Sequence, residues 1–349
     1  MAKVLKYAIG LDIAKDKFDA CLAVVDQIQN VTIKSSKSGI ANSGKGFMDL
    51  LAWVGKHLKK DSPKTFCMEA TGIYYEQLAW FLHQQNIPVS VLVPHKARYY
   101  IRSLGIKSKD DKIDAKGLAM MAAQQSLKEW KPLSSQIYEL RQLTRFYQQL
   151  QDTRTMLRNQ LHAIICGRLI NEKVVEGVRG LLIEVENRIN EIELTIRLTV
   201  EKDSVLLQKI NNINSVKGLG LISIATVIAE TDGFALFENQ KQLVCYSGYD
   251  VIRNQSGNTN GKTRISKLGN TRIRRILFMP AFSVVKYNTG SFKDLYERVY
   301  NKTRIKMKAY VAVQRKLLIL IYTLWKKNEM FNPEMHHEMG TRSLSFRTC

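Results

Sequence analysis

The chain has 349 residues, with 53 Lys+Arg against 31 Asp+Glu, a formal net charge of +22, and 45% hydrophobic and 24% charged residues. That balance excludes a disordered chain and leaves room for two domains with a connecting element, while the basic surplus points to a polyanionic partner, nucleic acid first among them. Five scattered cysteines without a CxxC and six histidines without ligand spacing exclude a disulfide framework and a zinc site; with no secretory h-region and no apolar run long enough to span a bilayer, a cytoplasmic, nucleoid-associated protein with no membrane partner is expected.

In chain order, residues from Tyr7 to about Ile33 read as consecutive strands: Tyr7–Ile13 is a nearly continuous apolar run ending in an acid, and Phe18–Val25 is a second β-rich run close behind it. Helical spacing follows from Gly46 to Lys59, then a short strand at Thr65–Glu69, a helix from about Tyr74 to Gln85 and a buried strand at Pro88–Val93. This alternation predicts an α/β domain with a mixed sheet over residues 1–130. From 131 to 210 the texture changes. Apolar residues recur every three and four positions (Ile137, Leu140, Leu143, Tyr147, then Leu182, Val185, Ile189, Ile192), predicting two long helices with a break near Gly177–Gly180. An antiparallel hairpin within the chain and an oligomerising coiled coil both satisfy that pattern. A mainly helical C-terminal domain is expected over 211–330, and a disordered tail over 331–349.

At Val216–Ile222 two glycines precede a helix, a turn able to offer backbone N–H groups to a phosphate, though a plain helix start fits equally. Between Lys262 and Lys316 there are 15 lysines and arginines against two acids, Asp294 and Glu297, a local surplus of 13. An imbalance of that size tracks a phosphate backbone better than it serves as a solvated face.

Four acids stand apart. Asp12 ends a hydrophobic strand, where a carboxylate is costly without a partner or a task. Glu69 ends a second such strand, and Asp111 and Asp114, spaced i, i+3, share one face of a helix. Singly, Asp111 and Asp114 read as helix-start acids and Glu69 as a satisfied strand end. Together they form an all-oxygen donor set suited to a hard divalent cation, Mg²⁺ or Mn²⁺, without which they would repel one another.

The blocks Gly10-Leu11-Asp12-Ile13-Ala14-Lys15, Met68-Glu69-Ala70-Thr71-Gly72-Ile73-Tyr74 and Lys109-Asp110-Asp111-Lys112-Ile113-Asp114-Ala115 resemble those of the DEDD-type transposases of the IS110 insertion-sequence family. A fourth block, from Asn254-Gln255-Ser256-Gly257 through Arg264–Asn270 to Arg274-Arg275-Ile276-Leu277, resembles that family's C-terminal domain. The resemblance implies a RuvC-like, RNase H-like α/β N-terminal domain whose metal-binding acids match Asp12, Glu69, Asp111 and Asp114. It also implies a serine nucleophile matching Ser256, which would form a covalent phosphoserine link to DNA during strand exchange. Further implications are donor and target double-stranded DNA as partners, a structured guide RNA encoded by the element, and a homo-oligomer, dimer or tetramer.

The residues are compatible with that chemistry. A serine hydroxyl needs a base or a strongly electropositive setting to act as nucleophile, and Ser256 sits in a polar, glycine-flanked segment beside Arg253 and Lys262. Arg264, Lys267, Arg272, Arg274 and Arg275 extend the basic stretch and are expected to contact nucleic acid. Ser247, in Tyr246-Ser247-Gly248, and Ser266 are neighbouring hydroxyls read as decoys, and the residues alone leave Ser247 open beside Ser256. A metal nuclease in which the serine is incidental, and a nucleic-acid-binding protein with a degenerate catalytic fold, are the competing expectations. An actin-like ATPase suggested by Gly10-Leu11-Asp12-Ile13 lacks its second phosphate-binding repeat.

Overall fold

The computed structural model describes residues 4–58, 62–70, 72–105, 111–235, 237–252, 255–256, 259–260, 263–287 and 290–332, with side chains at 95, 111, 255, 256, 259 and 260 outside that description. The expected tail lies almost wholly outside the described residues, from 333 onward. The chain divides into two compact units, residues 1–132 and 133–349.

The first unit is built on a five-stranded sheet in the order β3-β2-β1-β4-β5. Strands β1 (Val4–Ile13), β2 (Lys17–Asp26) and β3 (Val31–Ala41) form an antiparallel meander. After helix α1 (Gly44–His57) comes β4 (Lys64–Glu69), parallel to β1; after α2 (Glu76–Gln84) comes β5 (Val89–Leu92), parallel to β4. Helices α3 (Pro94–Ser103) and α4 (Asp111–Gln124) complete the unit. The central strand β1 is covered on both faces, which explains its unbroken apolar run. Tyr7, Ile9 and Leu11 face one cluster with Phe47, Leu50 and Leu78 from α1 and α2. Ala8, Cys21 and Cys67 face the other, with Ala115, Leu118 and Ala119 from α4.

Small residues bring α4 unusually close to the sheet. A Cβ added at Gly10 would lie 2.2 Å from both the Ala115 carbonyl oxygen and the Ala119 amide nitrogen. Because those are backbone atoms, any side chain there must displace the helix itself. Cys67 is fully buried under this contact, and burial, only partly offset by Lys96, pushes its thiol up to about 12.

The second unit is mainly helical, as expected. Helices α5 (Ser135–Ile165) and α6 (Glu172–Glu201) run antiparallel, linked by Arg158–Glu186 at 2.6 Å and Tyr147–Glu193 at 2.7 Å. Val175, Leu182, Ile189 and Ile196, spaced by seven, form the buried seam of α6. The break falls at 166–171 and not at Gly177–Gly180, which lie within α6. An interior glycine costs only about 1 kcal/mol relative to alanine, less than a long seam recovers. The true start of α6 is set by Asn171, whose side chain caps the Lys173 amide.

The unit continues with α7 (Ser204–Asn214), α8 (Leu221–Thr231) and α9 (Gln240–Tyr246). Four two-residue strands follow: β6 (Val251–Ile252), β7 (Gln255–Ser256), β8 (Thr259–Asn260) and β9 (Arg264–Ile265). Helices α10 (Thr271–Ile276), α11 (Phe278–Tyr287), α12 (Ser291–Thr303) and α13 (Lys306–Lys327) close it. Its core centres on α8 and α13 and includes Leu140 and Ile196 from the long pair. At the two-glycine turn, Gly218 (φ +100°) packs directly on Ser283 and Val284 of α11, so this glycine serves close packing, while Gly220 is the N-cap residue of α8. Among the described residues no helix is long and apolar enough to cross a membrane.

Candidate active site

Parallel pairing of β1 with β4 runs from Tyr7↔Lys64 to Leu11↔Met68, which makes Asp12 and Glu69 the next residues at the same sheet end. Side chains alternate along a strand. Ala8 and Cys67 lie in the cluster under α4, and Leu11 and Met68 in the opposite one, so Asp12 and Glu69 share the α4 face. The Lys6 ammonium donates to the Ala122 carbonyl (2.8 Å), while Gly10 touches Ala115 and Ala119, so α4 runs antiparallel to β1. Two residues along a strand advance about 6.6 Å, the rise of roughly four to five helical residues. Asp12 is therefore level with the first turn of α4, which holds Asp111 and Asp114.

One end of one sheet face thus gathers the backbone positions of all four acids. Asp12, Glu69 and Asp114 are half-buried and each has interaction partners. The Asp111 side chain lies outside the description. Among the described residues no three His, Cys, Asp or Glu side chains converge closely enough to hold a metal ion. In chemistry the donor set, oxygen only and without sulfur or imidazole, fits a hard divalent cation. Asn42, which the sequence did not single out, ties this end together. Its Nδ2 donates to the carbonyls of Ala14 (3.0 Å) and Tyr74 (3.1 Å), joining the turn after Asp12 to the loop after Glu69.

In the second unit Ser256 lies in the β7–β8 hairpin, in register with Thr259. Its side chain, and residues Arg253 and Lys262, fall outside the description. Below it β6 pairs with β9, Ser266 N–H donates to the Asp250 carbonyl (2.8 Å) and Lys267 N–H to Gly248 (3.1 Å). Of the two neighbouring hydroxyls, Ser247 is fully buried and Ser266 donates to the Asp250 carboxylate.

The basic residues divide in use. Arg264 and Lys267 are exposed on the hairpin stem. Arg274 donates to the Ser247 carbonyl (2.9 Å) and so braces the chain beneath the hairpin. Arg275 pairs with Asp152 of α5, and Arg272 lies 4.0 Å from Glu230.

Glu230, 1% exposed, is a residue whose role sequence reasoning missed. Its carboxylate accepts two bonds from Arg145 (2.7 and 3.1 Å) and one from Asn270 Nδ2 (2.8 Å). Asn270 also caps α10 through the amides of Arg272 and Ile273, so the cluster fixes the chain leaving the hairpin. An acid at the end of an apolar helix was the available signal; partners 85 and 40 positions away were not readable. Burial pushes Glu230 upward, but the Arg145 bonds and charge, with Asn270 and Arg141, outweigh it and hold the carboxyl below its usual value. With the folded value depressed, this stabilisation is full above the unfolded pKa and is lost as pH falls through the folded one. Glu230→Ala is expected to destabilise the protein by about 3 kcal/mol at neutral pH, since it strands a partly buried arginine. Denaturant titrations should show that deficit shrinking in acid; a deficit constant from neutral to strongly acid pH would exclude the ion pair as its source.

Residues 9–167 match a transposase family of the DEDD, IS110 type, and residues 210–297 match the transposase family IS116/IS110/IS902. The chain is 27% identical over 332 residues to a pilin gene-inverting protein of Moraxella bovis, covering 95% of this chain and 99% of that one. It is 21% identical to the transposase for insertion sequence element IS1111A of Coxiella burnetii, covering 93% of this chain and 90% of the other. Among solved structures, Thermus thermophilus RuvC aligns with 36% of this chain and 99% of its own at 13% identity, with a TM-score of 0.27, too low to establish a shared fold.

Proposed function

We propose that this chain, which matches two IS110-type transposase families, is the transposase of an insertion element, cutting and rejoining DNA through a phosphoserine at Ser256. The observation that carries the reading is the placement of Asp12 and Glu69 side by side on parallel strands, on the face and at the level where α4 begins with Asp111 and Asp114. The sheet order, an antiparallel meander extended by two parallel strands, supports an RNase H-like unit.

Asp12, Glu69, Asp111 and Asp114 would hold Mg²⁺ or Mn²⁺, which when bound neutralises charge on a phosphate and lowers the pKa of an attached oxygen. Ser256 attacks a DNA phosphorus, forming a Ser Oγ–P bond as a strand oxygen leaves. A hydroxyl of the recipient strand then attacks the same phosphorus and releases the serine, so no external energy source is required. Arg253, Lys262, Arg264 and Lys267 steady the phosphate, and Arg272, Arg274 and Arg275 lie along the adjoining basic stretch. The burial of Ser247 and the Ser266–Asp250 bond support Ser256 as the serine used.

The protein works as a homo-oligomer, dimer or tetramer, a reading supported by outward apolar residues on the long helix pair such as Leu181 and Ile183. A structured RNA from the element selects the DNA by base pairing. Incubation with DNA carrying the element's junction, followed by denaturing electrophoresis, tests the covalent step: protein should remain attached to cut DNA. Ribonuclease treatment of the purified protein should abolish site-specific cutting; undiminished cutting would remove the guide. All four acids lie within residues 1–132, which favours as second reading a metal-dependent nuclease without serine chemistry. Cut ends free of protein would establish that alternative.

A further inference from the structure

Five aromatic rings form a continuous ladder across three helices of the second unit. Phe278 meets Phe282 at 4.9 Å between centroids, Phe282 stacks on Tyr310 at 3.8 Å, Tyr310 meets Tyr296 at 4.6 Å, and Tyr296 leads to Tyr300 at 6.0 Å. All five rings are half-buried, each keeping part of its surface in solvent. Beside them Met279 is 65% and Met307 51% exposed, each three positions before a ladder residue and so on the same helix face. A solvent-facing apolar strip of this kind marks a contact surface.

Its charge setting selects the partner. Cations lie close to the rings along the chain: Lys286 is four residues after Phe282 in α11 and Lys306 four before Tyr310 in α13, while Arg304 directly follows α12 and its backbone N–H donates to the Tyr300 carbonyl (2.6 Å). The two acids of the region are Asp294 and Glu297, and Glu297 lies 4.0 Å from Lys293. A second copy of this chain would meet the strip with the same sign of charge, which disfavours self-association here. Arg304 also occupies a left-handed backbone conformation (φ +54°) at the end of α12, a position that favours glycine. An exposed arginine kept there is placed at the expense of local comfort.

From this juxtaposition we infer that Phe282, Tyr296, Tyr300 and Tyr310 form a stacking platform for an unpaired DNA strand, with Lys286, Arg304 and Lys306 tracking its phosphates. Duplex DNA conceals its base faces, so a purely duplex-binding surface gains nothing from exposed rings; an unpaired strand stacks its bases on them. Strand exchange frees such a strand, and the inference rests on the proposed activity only in that respect.

The test uses the full chain and fluorescence anisotropy with a labelled oligo(dT) of about 15 nucleotides, a duplex of equal length, and oligo(U). Phe282→Leu and Tyr310→Leu keep apolar volume while removing the ring, and each should weaken oligo(dT) binding about tenfold while changing duplex binding less than about twofold. Arg304→Gly should weaken oligo(dT) binding and flatten its salt dependence by roughly 0.7 in log–log slope. Its thermal midpoint should be no lower than the parent's, because glycine suits that backbone. Unchanged oligo(dT) affinity in both leucine variants, equal loss on duplex, or a loss confined to oligo(U) would each overturn the inference. Binding is read without cleavage: a parent that holds the strand yet never cuts DNA refutes the transposase reading alone, and a parent that cuts while its ring variants bind normally refutes the platform alone.

Discussion

Ser256→Ala is expected to abolish the covalent protein–DNA adduct while DNA affinity stays within about twofold of the parent. The side chain supplies the attacking oxygen, so its loss removes the bond-forming atom and leaves intact the lysines and arginines that supply most of the affinity. A mobility-shift titration paired with denaturing electrophoresis separates the two effects. Ser256→Cys offers a second check, since a thiolate attacks phosphorus poorly but preserves shape. An adduct that persists in the alanine variant, mapped by mass spectrometry to another hydroxyl, would remove Ser256 from the mechanism. Ser266→Ala is the matched control: its hydroxyl is already committed to Asp250, so the adduct should survive.

Asp12→Asn should lower divalent-dependent cleavage by at least about 10²-fold, the scale seen when one electrostatic contributor to a reacting phosphate or acyl group is removed. Calorimetric titration with Mn²⁺ should show weakened binding in the same variant, a readout independent of turnover. Wild-type Mn²⁺ affinity together with full cleavage in Asp12→Asn would dismiss the carboxylate site. Loss of folding cooperativity would instead assign Asp12 to the sheet's architecture, and Asp114→Asn, on the helix and not the strand, then carries the test.

Much of the first unit was legible because its strands obey simple rules. The apolar runs ending at Asp12 and Glu69 are what a doubly covered central pair requires, and their parallel register follows from an intervening helix. Most of strand β3 was not anticipated, the expected strands ending near Ile33: Val31–Ala41 lies at the sheet edge, largely exposed, and its Lys-Ser-Ser-Lys stretch carries no burial pattern. Helix α3 was hidden by its polar composition: Pro94–Ser103 carries one lysine, two arginines and a histidine, and its contact with the core runs through the small Ala97 and the ring of Tyr100. The break in the long helices was misplaced because glycines were weighed above Asn171, the residue that caps α6. Local chemistry predicted the acids' strand ends; no local signal joined Glu230 to Arg145 and Asn270, or threaded five rings from three helices into one ladder. Those depend on contacts between distant segments.

The tight seat of α4 on the sheet has a consequence for thiol chemistry. Cys21 and Cys67 lie sealed beneath that helix, protonated at neutral pH and closed to oxidants and alkylating reagents, whereas Cys166 and Cys245 stand open on the second unit. Electrophilic labels would therefore decorate the helical half and spare the sheet, and modification of Cys67 would record the moment at which α4 lifts away.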